Sequence, residues 1–169
     1  TVMLGEEGWR ERYYKAKFGI DINNPDDQPF INRLVRSYLE GIQWVLRYYY
    51  QGCCSWTWYF PFHYAPFAGE FKDVGDLKVE FVKGKPFSPF EQLMGVLPAE
   101  SGQACLPRAY YQLMVDDNSP ILDFYPTNFE VDLNGKRFEW QGVALLPFID
   151  EERLLKALQP VKHLLDEDE

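Results

Sequence analysis

The chain has 169 residues, of which 46% are hydrophobic and 25% charged, with a net charge of −9 and a pI of about 4.8. That length supports one folded domain with a sizeable core, expected to span residues 1–169. The acidic balance excludes a free-standing basic nucleic-acid binder, because the summed field of the chain repels phosphate.

Trp9 to Phe18 reads as a short helix, with Tyr13, Tyr14 and Phe18 near one face. Asp21 to Pro29 is polar and carries turn residues. Asp26 or Asp27 is expected to cap the next helix, whose first turn accommodates Pro29. From Phe30 to Tyr50 the apolar positions are Ile31, Leu34, Val35, Tyr38, Leu39, Ile42, Val45, Leu46 and Tyr49, a helical and amphipathic spacing. Arg36 and Glu40 form an i,i+4 pair on another face. Gly52 is placed to end this helix.

Residues 55–76 read as irregular, pinned by Pro61 and Pro66. Leu77 to Val82 alternates and predicts a short strand or an extended arm. Ser88-Pro89-Phe90-Glu91 has the form of a capping box with proline at the first helical position. Phe90, Leu93, Met94 and Leu97 make one face of the short helix that follows. Pro107 opens another, bearing Tyr110, Tyr111, Leu113 and Met114. Phe129, Val131 and Leu133 alternate up to Asn134-Gly135, a two-residue hairpin signal, with Phe138 and Trp140 continuing on the return side. Asp150 is expected to cap a last helix through Leu154, Leu155 and Leu158, interrupted at Pro160. Asp166 to Glu169 is an acidic end, expected to fray. The sum is a mainly α, irregular helical domain with a small β-hairpin and long loops rich in proline and aromatic residues.

The chemistry that these residues exclude is as informative. No stretch approaches eighteen consecutive apolar residues, so no transmembrane helix and no membrane partner are expected. Thr1 to Glu7 has neither the basic nor the apolar region of a secretion signal. Cys53, Cys54 and Cys105 show no CxxC spacing, which argues against zinc and for reduced, small buried residues of a cytosolic or nuclear protein. Two-metal phosphodiester cleavage needs several carboxylates converging within a few ångströms. Asp116-Asp117, Asp123 and Asp150-Glu151-Glu152 are instead explained as turn and helix-start charges. No catalytic residue and no metal ligand is therefore expected in this chain. His63, between two prolines, reads as a structural histidine.

The unusual quantity is the aromatic share, 17%. Much of it sits in one run, Tyr48-Tyr49-Tyr50-Gln51-Gly52-Cys53-Cys54-Ser55-Trp56-Thr57-Trp58-Tyr59-Phe60-Pro61-Phe62-His63-Tyr64-Ala65-Pro66-Phe67. Rings on a turn-rich segment either fill a core or present flat faces for stacking. Trp140 poses the same choice. It follows a tight turn and precedes the apolar run Val143-Ala144-Leu145-Leu146. Lys136 and Arg137, beside it, are read as exposed turn charges within reach of a phosphate.

The aromatic run resembles the second conserved region of the eukaryotic 5′→3′ exoribonucleases. The resemblance continues in order through Pro86 to Ala99, Asp123-Phe124-Tyr125-Pro126, Asp132 to Lys136 and Trp140 to Glu151. It implies a piece of a processive enzyme that releases nucleoside 5′-monophosphates from single-stranded RNA bearing a 5′ monophosphate. In that family the Mg2+-binding carboxylates and the 5′-phosphate pocket lie in an N-terminal catalytic half. The resemblance thus makes that half a partner, alongside the RNA and a protein cofactor, and implies that the isolated chain is inactive. It implies that this piece wraps the catalytic domain and helps shape a channel for single-stranded RNA. A tryptophan in the block occupied by Trp140 stacks on a terminal nucleobase in these enzymes. Trp56 and Trp58 are second candidates for substrate binding, with packing the favoured role. Gln141-Gly142-Val143-Ala144-Leu145-Leu146 is closer to the nuclear branch than to the cytoplasmic mRNA-decay branch, where the block more often begins Glu-Ala-Val. A nuclear location, with roles in RNA processing, RNA degradation and transcription termination, is what that branch implies. The rival class is a non-enzymatic interaction or scaffold domain with an aromatic docking surface, since protein interfaces also favour Trp and Tyr.

Overall fold

The computed structural model describes residues 2–165, so the acidic end at Asp166 to Glu169 lies outside the described residues. The described residues are mainly α-helical, with two β-strands of two residues each among them. It divides into two compact units, Thr1–Pro86 and Phe87–Glu169, each with its own core.

In the first unit, α1 (Trp9–Phe18) has the bounds its ring spacing predicts. Its buried residue Tyr14 packs with Ile20, Ile22, Ile31, Leu34 and Val35. Arg12, on the opposite side, donates to the carbonyls of Val2, Met3, Glu6 and Glu7 at 2.7–3.2 Å and so ties down the segment before the helix. Helix α2 (Gln28–Gln51) accommodates Pro29 in its first turn. Neither Asp26 nor Asp27 caps it with a side chain. Asn24 Oδ1 instead accepts from the Asp26 N–H at 3.1 Å, capping a 3-10 turn (Pro25–Asp27) that runs straight into α2. The Asp27 carboxylate turns back to accept from the Asp21 N–H at 2.9 Å. The turn leads directly into the helix: Asn24 caps the turn, and Asp27 holds the N-cap position of α2 without a side-chain cap bond. Helix α2 ends at Gly52, whose N–H returns to the Tyr48 carbonyl at 3.1 Å.

The fully buried residues of α2 all lie in its first half. Ile31, Leu34, Val35 and Ser37 are buried, whereas Ile42, Val45, Leu46, Tyr49 and Tyr50 along the second half are exposed. The amphipathic spacing of the sequence is real, but the apolar stripe of the second half keeps about half or more of its surface in solvent.

The aromatic run after α2 is stitched to both helices. The Tyr13 hydroxyl donates to the Ala65 carbonyl at 2.7 Å, and the Tyr14 hydroxyl accepts from the Phe67 N–H at 3.1 Å. Phe67 packs against Trp9 and Tyr13 with centroids 4.5 and 4.4 Å apart. Arg10 grips Glu70 through two bonds of 2.7 Å. Leu77 to Val82 forms no strand. It is an extended arm, held by the Arg47 guanidinium on the Val79 carbonyl at 3.1 Å.

In the second unit, α3 (Pro89–Val96), α4 (Ala99–Cys105), α5 (Arg108–Val115) and α6 (Glu151–Leu158) surround a core that includes Met94, Tyr110, Met114, Ile121, Leu154 and Leu158. The predicted box at α3 is present, with the Glu91 carboxylate accepting from the Ser88 N–H at 2.8 Å. The same carboxylate is buried and meets Lys162 Nζ at 2.7 Å. One residue therefore both starts α3 and anchors the chain's far end. Burial opposes Glu91's ionisation, yet the bonds from Lys162 and Ser88 outweigh it and hold the carboxyl below its ordinary range. The Tyr125 hydroxyl donates to the Met94 carbonyl at 2.8 Å, and its burial pushes its pKa up to about 12. Asp150 caps α6, accepting from the Arg153 N–H at 2.9 Å. At Pro160 the helix tightens into a 3-10 segment (Gln159–Leu164).

Candidate nucleic-acid interface

The hairpin of the second unit presents the ring that the sequence singles out. Strand β1 (Val131–Asp132) pairs antiparallel with β2 (Val143–Ala144), Val131 opposite Ala144 and Asp132 opposite Val143. The Asn-Gly turn forms as predicted, with φ of 48° at Asn134 and 76° at Gly135. It closes with the Lys136 N–H on the Leu133 carbonyl at 2.7 Å. The return side is different from the expectation. Phe138 and Trp140 are not in the ladder. After the turn the chain leaves the sheet, makes a 3-10 turn over Glu139–Gln141 and rejoins β1 only at Val143.

The reason lies at Gly142. A Cβ there would sit 2.6 Å from Val131 Cγ1 and 3.1 Å from the carbonyls of Asp132 and Glu139. The returning chain crosses β1 so closely that only glycine fits, and the residues before it are pushed outward. Two backbone bonds fix the loop: Gln141 N–H to the Phe138 carbonyl at 3.0 Å, and Gly142 N–H to the Glu139 carbonyl at 2.9 Å.

Trp140 therefore stands on a short, hydrogen-bonded turn and is 80% exposed. Its indole is stacked on the Phe138 ring, with centroids 6.1 Å apart and planes 10° from parallel. The Arg137 guanidinium lies 5.4 Å from the Phe138 centroid.

The other two candidates lie in the first unit and differ from one another. Trp56 is 52% exposed, and its backbone N–H donates to the Lys83 carbonyl at 2.9 Å. The Lys83 ammonium stands 6.0 Å from the indole centroid and also bonds the Cys53 carbonyl. Trp58 is half-buried. It is packed beside Trp44, with Phe81 at its edge, and against Gly41, where a Cβ would lie 2.8 Å from Trp58 Cη2. Trp44 is itself pinned by its Nε1–H on the Ser55 carbonyl at 3.0 Å.

Three of the acidic groups are engaged elsewhere. Asp123 pairs with Arg153 at 2.8 and 3.0 Å, which lowers the carboxyl's pKa. Asp150 caps α6, and Asp116 Oδ1 accepts from the Asn118 N–H at 2.8 Å. Among the described residues no three His, Cys, Asp or Glu side chains are grouped to hold a metal ion. These donors do not fit a two-metal hydrolytic centre, whose carboxylates must converge on one point. Likewise, among the described residues no helix is long and apolar enough to cross a membrane.

Two features of the site were not read from the sequence. One is the stacking of Phe138 on Trp140, which arises from the 3-10 turn over Glu139–Gln141 and not from the return strand the sequence suggests. The other is the close crossing at Gly142. A lone glycine two residues after an aromatic, beside a hairpin signal, is the cue that points to it.

The chain is similar throughout its length to known proteins. The family described as the Xrn1 helical domain matches residues 1–169. The 5′-3′ exoribonuclease 2 of Emericella nidulans is 58% identical over 169 residues, covering 100% of this chain and 16% of that protein. That of Schizosaccharomyces pombe is 57% identical, covering 100% of this chain and 17% of its own length. That of Gallus gallus is 57% identical over 162 residues, 95% of this chain and 17% of that protein. The chain thus spans 16–17% of the length of these curated relatives. Their shared name accords with the branch to which Gln141 to Leu146 points. With the match covering every residue, the chain belongs to the Xrn1 helical domain family of the 5′→3′ exoribonucleases.

Proposed function

We propose that this chain is the RNA-guiding part of a processive, nuclear 5′→3′ exoribonuclease that degrades single-stranded RNA bearing a 5′ monophosphate. In this reading Trp140 stacks on a nucleobase, and the chain helps to shape the channel that admits the strand. The observation that carries the reading is the 80% exposure of Trp140 on a turn fixed by two backbone bonds. A core tryptophan would be buried, and a loose surface ring would lack a defined plane. Stacking suits an enzyme that must accept any sequence, because every base has a π-face.

Magnesium, and the carboxylates that hold it, belong in this reading to the catalytic half of the same polypeptide. The exposed stripe of Ile42, Val45, Leu46, Tyr49 and Tyr50 on α2 is read as the face against which that half packs. By itself the chain has no hydrolytic activity. The same stripe also favours a second reading, a non-enzymatic docking domain that binds a separate protein.

The test uses the full-length protein with single-stranded RNA carrying a 5′ monophosphate or a 5′ hydroxyl, in the presence of magnesium. Stepwise mononucleotide release from the first substrate alone is the expected result. Failure to degrade either, with RNA affinity also absent, would favour the docking reading. Mononucleotide release by the pure 169-residue chain would overturn the division of labour.

A further inference from the structure

We propose that Phe138 is a positioning residue for the nucleobase platform: it fixes the plane of Trp140 so that one indole face is ready for a base. This inference rests on the stacking role given to Trp140 above.

The argument begins with what does not hold the indole. Trp140 is 80% exposed and Phe138 49% exposed, so neither ring is anchored in the core of its unit. An exposed tryptophan on a turn has two free side-chain torsions, and a base that stacks on it must first arrest both. Yet the two rings lie 10° from parallel with centroids 6.1 Å apart, an offset stack. The rings are laterally offset and run nearly parallel, and most of the indole stays open to solvent.

The backbone makes this pairing possible. Phe138 is extended, and the 3-10 turn over Glu139–Gln141 begins directly after it. The Gln141 N–H on the Phe138 carbonyl, at 3.0 Å, closes the turn around the two rings. Gly142 then lets the chain dive under the hairpin, where any side chain would strike Val131. Arg137, with its guanidinium 5.4 Å from the Phe138 centroid, gives that ring a second neighbour. A platform built this way has already restricted the indole before RNA arrives, which strengthens binding without adding a contact to the substrate. Aromatic pairs of this kind contribute an interaction equivalent to about twofold to tenfold in an equilibrium constant.

The experiment uses full-length protein with magnesium chelated and a single-stranded RNA whose 5′-terminal base is 2-aminopurine. Stacking on an indole quenches that fluorophore. The wild-type protein should quench it on binding. Phe138→Ala should reduce the quench and weaken RNA binding about threefold to tenfold. Phe138→Tyr, which keeps the ring, should restore both. If Phe138→Ala melts early, Phe138→Leu carries the test, since it keeps bulk and loses only the ring. Wild-type quenching and affinity in the Ala and Leu variants, alongside a loss in Trp140→Ala, would overturn the role of Phe138 while leaving Trp140's intact. Wild-type behaviour in Trp140→Ala as well would sink the stacking reading itself.

Discussion

Replacing Trp140 by alanine separates a binding ring from a structural one. The indole is 80% exposed, so folding removes only about a fifth of it from water. For a large aromatic that is roughly 50 Å², or about 1 kcal/mol at 25 cal/mol per Å². Losing the stack on Phe138 adds about 0.5–1.5 kcal/mol. The total of about 2 kcal/mol lies well below the about 3–5 kcal/mol that a buried tryptophan costs when truncated. Removing a stacking partner for a base weakens binding by about 1–3 kcal/mol, or roughly fivefold to 150-fold. The full-length variant should therefore melt only slightly early and degrade 5′-monophosphorylated RNA much more slowly. Trp140→Phe should recover part of the activity, because a smaller ring still stacks. Melting and decay kinetics on the same preparation decide the matter. A variant that melts far early, yet degrades RNA at the wild-type rate while folded, would refute the reasoning.

Gly142→Ala places a methyl 2.6 Å from Val131 Cγ1, so the turn carrying Trp140 must shift. Overpacking of this kind costs about 1–3 kcal/mol, and RNA decay should fall with it, whereas unchanged kinetics would show that the turn moves without consequence. Gly41→Ala drives a methyl to 2.8 Å from Trp58 Cη2; if that indole is a packing element, the melting temperature should drop and the near-ultraviolet circular dichroism should change. Glu91→Gln breaks the contact with Lys162, and because Lys162 is half in solvent the cost should be about 1–2 kcal/mol at neutral pH. The folded Glu91 carboxyl is held below its unfolded value of 4.5, so its stabilisation is present above that value and is lost as pH falls through the folded pKa. The gap in melting temperature between wild type and Glu91→Gln should close on acidification, and a gap that widens would contradict the assignment.

Elements with two agreeing signals were legible in the sequence. Ser88, Pro89 and Glu91 announce α3 through a cap, a proline and a returning carboxylate, and all three occupy those places. Asp150 does the same for α6. Helix α4 was not legible. Its residues, Ala-Glu-Ser-Gly-Gln-Ala-Cys, carry no apolar stripe and hold a glycine in the middle, so the helix owes its existence to packing beside α5. The start of α2 is ambiguous in the sequence because Asn24, Asp26 and Asp27 are all competent caps, and the 3-10 turn ahead of the helix takes Asn24 as its own. The hairpin turn at Asn134-Gly135 was legible from two residues. The excursion carrying Phe138 and Trp140 was not, because it depends on the space around Gly142, which no local pattern encodes.

The aromatic run was ambiguous in the sequence for a physical reason: packing and stacking use the same rings. Much of it is used in packing, in ring pairs such as Phe67 with Trp9, Phe60 with Tyr38 and Phe62 with Phe30. Tyr13 and Tyr14 of α1, outside the run, place their hydroxyls on its backbone at Ala65 and Phe67, a function that phenylalanine cannot perform. Trp140 lies outside the run, in a chain with a net charge of −9. An uncharged ring is a kind of RNA contact that such a chain can offer without working against its own field. Stacking displaces no condensed counterions, whereas phosphate contacts by Lys or Arg do. The affinity lost in Trp140→Ala should therefore be the same at low and high salt, leaving the slope of log K against log salt unchanged. A flatter slope in the variant would mean that the residue acts by holding a cation such as Arg137 against the phosphate backbone, and not by stacking on a base.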